Sequence, residues 1–314
     1  MPSVRAAHAS LIAVTVAWAS AFSVIKVLLD HGYSAVDVAI LRYAVATPGF
    51  AILLWRMGWL PRLSRGDALR IGAAALLIVV GYHVSLNVGT QYTSSGTAAL
   101  VVALAPALTL VLAVRIGLER LVPVHVVGLV VAFAGVVVVT LLGAGEEISL
   151  AAAKGPLIVL GAPASFAIYN VIMKPLLAHY NVFALTSAAG LAGSVMLIPF
   201  ARGSTVQTVN DMSAGDAVLV LHLGVVCTFL GYIAWNIGLQ GLGASRAVVY
   251  AYAVPALAVV MGALFLDETV TAWLALGGGL IVGGVALAQR GGMPRLRSGT
   301  RTPACRPEGA TGRP

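Results

Sequence analysis

Charge is what this sequence has least of. Asp, Glu, Lys and Arg make up 10% of its 314 residues, against about 25% in a soluble domain. That deficit excludes a chain whose whole surface faces water. Acids are scarcer than bases, eleven against nineteen. None lies well inside an apolar stretch: Asp30, Asp37, Glu119, Asp267 and Glu268 all fall near stretch ends. Cysteine is nearly missing. Cys227 sits in an apolar run and Cys305 in the C-terminal tail, which excludes a disulfide framework and a metal-ligand cluster. Period-two alternation is absent, so a β-barrel is excluded as well. No polar stretch is long enough for a separate soluble domain.

What remains is apolar: 60% of the residues are hydrophobic and the mean hydropathy is +0.97. Apolar runs of about 20 residues are long enough to cross the hydrocarbon core as helices, and helices satisfy their own backbone there. Ten such spans can be counted, near 8–28, 35–56, 70–91, 95–116, 123–143, 155–177, 182–200, 217–240, 245–266 and 270–289. The expected fold class is an all-α integral membrane protein. Residues 290–314 are rich in Arg, Gly and Pro and read as a disordered basic tail.

The placement of the bases sets an orientation. With a cytoplasmic N-terminus, Arg5, Arg56, Arg62, Arg65, Arg70, Arg115, Arg120, Lys174, Arg246 and the six tail arginines fall inside. Lys26, Lys154 and Arg202 fall outside, and Arg42 lies within a span. This asymmetry is the positive-inside pattern. It reads as a multi-pass protein of the plasma (inner) membrane with both termini cytoplasmic. It also accounts for the basic pI near 9.9 through anionic lipid, with no nucleic-acid partner. Arg5, the run from Leu11 and the small residues at 18–21 imitate a cleavable leader. The repeat described next uses those residues, so they read as the first span.

The sequence repeats itself. Residues 83–91 read HVSLNVGTQ and residues 232–240 read YIAWNIGLQ, 149 positions later. At the same offset Pro106 falls on Pro255, Glu119 on Glu268, Gly128 on Gly277 and Gly135 on Gly284. With a one-residue shift, WASAFSVIK at 18–26 falls on FAIYNVIMK at 166–174. The organisation expected is a first five-span repeat over 1–143, a linker over 144–154 and a second repeat over 155–289. Five is odd, so the second repeat enters the membrane inverted. Inverted repeats are a recurring plan of transporters.

Several segments resemble a known family: WASAFSVIK in the first span, ILRYAVA at 40–46, SSGTAALVVALAPALTLVLAV at 94–114 and GASRAVVYAYAVPALAVVMGALFLDE at 243–268. The chain is similar to EamA-type members of the drug/metabolite transporter superfamily. The resemblance implies a secondary carrier, in most cases an exporter of amino acids and other small metabolites. It also implies a central cavity walled by spans one to four and six to nine, with spans five and ten outside. Small multidrug pumps related to this superfamily couple protons through a first-span Glu. Here that span carries Trp18, Ser20 and Ser23 instead, which weakens a cationic-drug reading.

Polar groups inside spans are costly and mark candidate sites. His83, Asn87 and Gln91 recur at four-residue steps, as do Tyr232, Asn236 and Gln240, so each repeat presents one polar stripe. His83 and Tyr232 lie deepest and are candidates for the cavity, with Asn87, Asn236, Tyr82 and Trp235 beside them. Asn87 and Asn236 serve equally well as interhelical ties. Trp18, Ser20, Tyr169 and Asn170 join the candidate substrate-binding set because the resemblance gives their spans to the cavity wall. Gln91 and Gln240 read as ties at span ends. Lys26 and Lys174 are either snorkelling ends or cationic mouths. Arg42 needs a partner, a carbonyl or tyrosine before a substrate. Pro106 and Pro255 interrupt helix hydrogen bonding at mirrored depths. Gly279 and Gly283 have the spacing that allows close helix contact, within a monomer or in a homodimer.

The functional expectation is an exporter of a small solute such as an amino acid, working by alternating access, with no metal, cofactor or catalytic group. A nucleobase or other drug-like solute is the alternative cargo. An intramembrane enzyme is the alternative class, but no acid stands ready to orient a histidine and no paired ligands stand ready for a metal.

Overall fold

The computed structural model describes residues 3–58, 63–117, 122–143 and 153–290. Glu119, most of the linker and the tail from residue 291 lie outside the described residues. Within them the chain is helical, with no strand. Ten helices are long and apolar enough to span a membrane: Val4–Asp30, Ala35–Arg56, Arg65–Thr90, Ser95–Arg115, Pro123–Leu142, Lys154–Leu176, Val182–Phe200, Ala214–Leu242, Arg246–Phe265 and Ala272–Gln289. They are called spans 1 to 10 in that order. The sequence-based boundaries differ from these by five residues or fewer.

Local chemistry explains the span starts. Ser3, Ser34, Ser64, Ser94 and Ser213 each accept the backbone N–H three residues on, at 3.0–3.2 Å. A serine in this position satisfies one of the orphan N–H groups that open a helix. At the turn between spans 8 and 9, Gly243 sits at φ +78°, a conformation open to glycine at little cost.

The spans pack in pairs. Spans 1 and 8, 3 and 6, 1 and 9, 4 and 6, 2 and 8, and 3 and 7 are in contact, as are 2 and 7, 4 and 9, and 5 and 10. Spans 5 and 10 pack chiefly on each other and reach the rest through span 4. Their contact is made by glycine. A Cβ on Gly128 would stand 2.6 Å from the Gly284 carbonyl, and one on Gly135 would stand 2.6 Å from the Gly277 carbonyl. Gly279 and Gly283, the pair singled out by GxxxG spacing, have nothing within 4 Å. The close face of span 10 is therefore the one carrying Gly277 and Gly284. The period that selects it is seven residues, because span 10 lies along span 5 through most of its length.

Spans 4 and 9 are broken at mirrored places. Span 4 opens at Ala103–Leu104, just before Pro106, and span 9 opens at Tyr252, before Pro255. The prolines remove a helix donor there. Spans 3 and 8 each contain a π-helical stretch, Leu76–Tyr82 and His222–Leu230.

Candidate functional site

The connections on the face opposite the N-terminus are tied together. His31 meets Asp216 at 2.7 Å, Thr205 donates to Asp37 at 2.6 Å and Thr271 donates to the Gly143 carbonyl at 3.0 Å. Tyr33, in the 31–34 connection, has its phenol held above the ordinary range by desolvation and then by the Asp216 carboxylate. Glu268 accepts from the Ser95 N–H at 2.7 Å, the Ser95 hydroxyl at 2.9 Å and the Gly96 N–H at 3.2 Å. Glu268 stands shortly before span 10, yet its carboxylate does not serve that helix. It caps span 4, because the turn at Asp267, φ +52°, places the carboxylate over the exposed N–H groups of that helix. Replacing Glu268 with Ala removes three hydrogen bonds and leaves those donors without an acceptor. The expected cost is about 2 kcal/mol of stability, read as a lower melting temperature in detergent; Glu268→Gln recovers part of it.

Deeper in, the two π stretches shape the centre. A π turn displaces carbonyls from the regular ladder, and such turns concentrate at functional sites. In span 3, His83 Nδ1 lies 2.8 Å from the Ile78 carbonyl. In span 8 the Thr228 hydroxyl donates to the Leu223 carbonyl at 2.7 Å. Both reach back five residues. A carbonyl only accepts, so Nδ1 of His83 carries hydrogen. The Tyr43 hydroxyl lies 3.4 Å from the same Nδ1.

Aromatic rings surround this histidine. Tyr82 and Tyr43 meet it edge-on, with centroids 4.9 and 5.1 Å away. Phe166 continues from Tyr82, and Tyr169 from Phe166, at 6.2 and 5.9 Å. On the far side Trp18 packs on Trp235 at 5.3 Å and on Tyr232 at 6.2 Å. Its indole N–H donates to the Cys227 carbonyl at 3.0 Å. Tyr43, Tyr169, Thr186 and Tyr232 share the wall of one narrow cavity of about 10 Å³, room for roughly one water molecule.

A second, more polar group lies beside it. Ser20 and His222 Nε2 are 2.8 Å apart. Arg42 is 6% exposed and its Nε donates to the Thr228 hydroxyl. It has no carboxylate partner among the described residues. The expected carbonyl or tyrosine partner is thus replaced by a threonine, whose own hydrogen is already given to Leu223.

The remaining predicted residues spread out. Asn87 donates to the Ala35 carbonyl at 2.9 Å and Asn236 to the Thr186 hydroxyl at 3.2 Å. Each asparagine therefore ties its span to the preceding one, 3 to 2 and 8 to 7. Asn170 reaches Thr109 at 3.5 Å. Lys26 pairs with Asp30 on its own helix at 2.9 Å, and Lys174 is exposed at the end of span 6. Gln91 and Gln240 are exposed, with no side-chain hydrogen bond among the described residues, so the expected tie at the span ends has no partner. Substituting either with Ala is expected to change stability by less than about 0.5 kcal/mol; a melting curve checks it.

Sequence reasoning thus brought Trp18, Tyr82, His83, Tyr169, Tyr232 and Trp235 into one group, which the structure assembles. It passed over Tyr43, Phe166, Thr186 and Thr228. The signal for Tyr43 was present in the buried ILRYAVA segment, next to Arg42. Thr228 carries no such mark, since its position depends on the π turn.

The EamA-like transporter family matches the chain twice, over residues 6–141 and 153–289. An uncharacterised transporter of Archaeoglobus fulgidus is 34% identical over 87% of this chain and 95% of its own length. A probable terminal-alkyne amino-acid exporter of Streptantibioticus cattleyicolor is 30% identical over 92% of this chain and 95% of its own. A crystal structure at 21% identity superposes with a TM-score of 0.60, covering 93% of this chain and 99% of that one; it bears on the fold alone.

Proposed function

The chain belongs to the EamA-like transporter family, and from that premise we propose that it exports small metabolites such as amino acids by alternating access. The observation that carries this reading is the cluster around His83. It joins spans 1, 2, 3, 6 and 8, drawn from both repeats, and two of these, spans 3 and 8, carry the π stretches. Such stretches concentrate at functional sites, and carriers place their solute between their repeats near the membrane centre. A cavity of about 10 Å³ does not hold an amino acid, so transport requires the repeats to part.

The packing supports an inverted relation between repeats that exchanges inward-open and outward-open forms. Exchanging each span for its counterpart turns the 1–8 contact into 6–3, 1–9 into 6–4 and 2–8 into 7–3. It returns 2–7, 4–9 and 5–10 to themselves. All of these contacts are present. The glycines follow the same rule, since Gly128 on Gly284 becomes Gly277 on Gly135. The excess of Lys and Arg on the N-terminal side supports a cytoplasmic N-terminus in a plasma membrane. The amino-acid cargo draws on the Streptantibioticus relative's name and on the mix of rings, hydroxyls and amides at the centre, which suits an amphipathic solute.

The test is metabolite profiling of spent medium from cells producing the protein, cells with an empty vector and cells producing His83→Ala. A metabolite enriched outside only with the parent protein is expected. The His83→Ala variant is expected to export it about tenfold more slowly while still reaching the membrane. Enrichment that is the same with the empty vector would sink the export reading. Undiminished export by His83→Ala would remove His83 from the path.

A further inference from the structure

Arg42 is a buried cation whose one side-chain hydrogen bond among the described residues goes to a neutral group. An arginine carries five N–H donors and stays charged at any physiological pH. Holding that charge near the middle of a span is costly unless something pairs with it. Thr228 accepts one of the five through Nε. Because Thr228 gives its own hydrogen to Leu223, its lone pair is turned toward Arg42 and fixes the guanidinium plane. The four N–H groups of Nη1 and Nη2 have no acceptor among the described residues.

The surroundings do not neutralise the charge. Among the described residues no carboxylate lies within ion-pair distance of it. Asp37, on the same helix, is engaged with Ser34 and Thr205, and Asp216, on span 8, with His31 and Ser213. The fork is not sealed either. Arg42 keeps 6% of its surface exposed.

We propose that Arg42 is an anion subsite of the transport path, its free fork taking the carboxylate of the solute in a bidentate pair while the rings of Tyr43 and Tyr232 take the apolar body. Planar guanidinium and planar carboxylate match in a way that lysine does not reproduce. The proposal rests on the carrier reading above and narrows it: the cargo bears a free carboxylate, and neutral or purely cationic solutes are poor cargo.

The test uses the purified full chain in detergent and follows the melting temperature with two pools at equal concentration. One contains the common L-amino acids with phenylacetate; the other contains the matching carboxamides. The acid pool is expected to raise the melting temperature of the parent protein and the amide pool is not. Arg42→Gln should lose the response to acids, and Arg42→Lys should need about tenfold more ligand. If Arg42→Gln does not fold, the contrast between acids and amides in the parent protein decides alone. Equal response to both pools, no response to either, or an undiminished response in a folded Arg42→Gln overturns the proposal. Spent-medium profiling separates this from the carrier reading. Export of a solute without a carboxylate defeats the Arg42 subsite and leaves the carrier intact; acid binding without export of anything defeats the carrier and leaves the subsite.

Discussion

Gly284→Val is expected to abolish the folded protein, while Gly283→Val, one position earlier, is expected to leave it unchanged. The difference lies in what a side chain would meet. At Gly284 a Cβ would stand 2.4 Å from the Ala132 N and 2.7 Å from the Gly128 carbonyl. Both are backbone atoms, so no rotamer change relieves the clash, and span 10 would have to move off span 5. Overpacking of an ordinary core costs about 1–3 kcal/mol; two helix backbones forced apart lose their whole contact and cost more. Spans 5 and 10 have little else to hold them, since each reaches the other helices chiefly through span 4. At Gly283 nothing lies within 4 Å and the residue is exposed, facing lipid. The measurement is the folded, monodisperse fraction after extraction, with Gly128→Val expected to behave as Gly284→Val and Gly279→Val as Gly283→Val. A folded Gly284→Val with the parent melting temperature would remove the close contact between spans 5 and 10.

This contrast also marks what the sequence could and could not show. The spans were legible because the membrane imposes one simple rule, a long apolar run, and the chain obeys it ten times. The correspondence of the halves was legible because Asn87 and Asn236, and the prolines and glycines around them, kept their spacing. The choice among glycines was not. Gly279 and Gly283 fit a familiar spacing, but the face a helix presents depends on its neighbour's crossing angle, and span 10 meets span 5 along the row of Gly277 and Gly284. Arg42 was flagged as needing a partner, yet Thr228 could not be named, because a π turn shifts the phase of every side chain after it. The serine caps were readable and passed over: Ser34, Ser64 and Ser213 each stand three residues before an aspartate, the spacing that marks a helix start.

The second large effect is expected at Trp18, where the aromatic centre and the backbone of the opposite repeat meet. Trp18→Ala should abolish export while lowering stability by about 2–3 kcal/mol, less than the ~3–5 kcal/mol typical of a fully buried ring because Trp18 is only half-buried. The two losses have separable causes. Stability falls because Trp235 and Tyr232 lose the ring they pack on and the Cys227 carbonyl loses its donor. Export falls because Trp18 is one of the contacts by which span 1 follows span 8, beside the Ser20–His222 pair. A Cβ on Gly231 would stand 2.9 Å from the Trp18 Nε1, so the indole lies directly against the span 8 backbone. Trp18→Phe separates these effects. It keeps a six-membered ring near Trp235 and gives up the N–H and the rest of the indole, a change worth about 1–2 kcal/mol. Its expected behaviour is a nearly normal melting temperature with export reduced but measurable. If folded Trp18→Phe and Trp18→Ala both export at the parent rate, Trp18 does not couple the repeats, and the coupling runs through their other contacts, such as 2–7, 3–6 and 4–9.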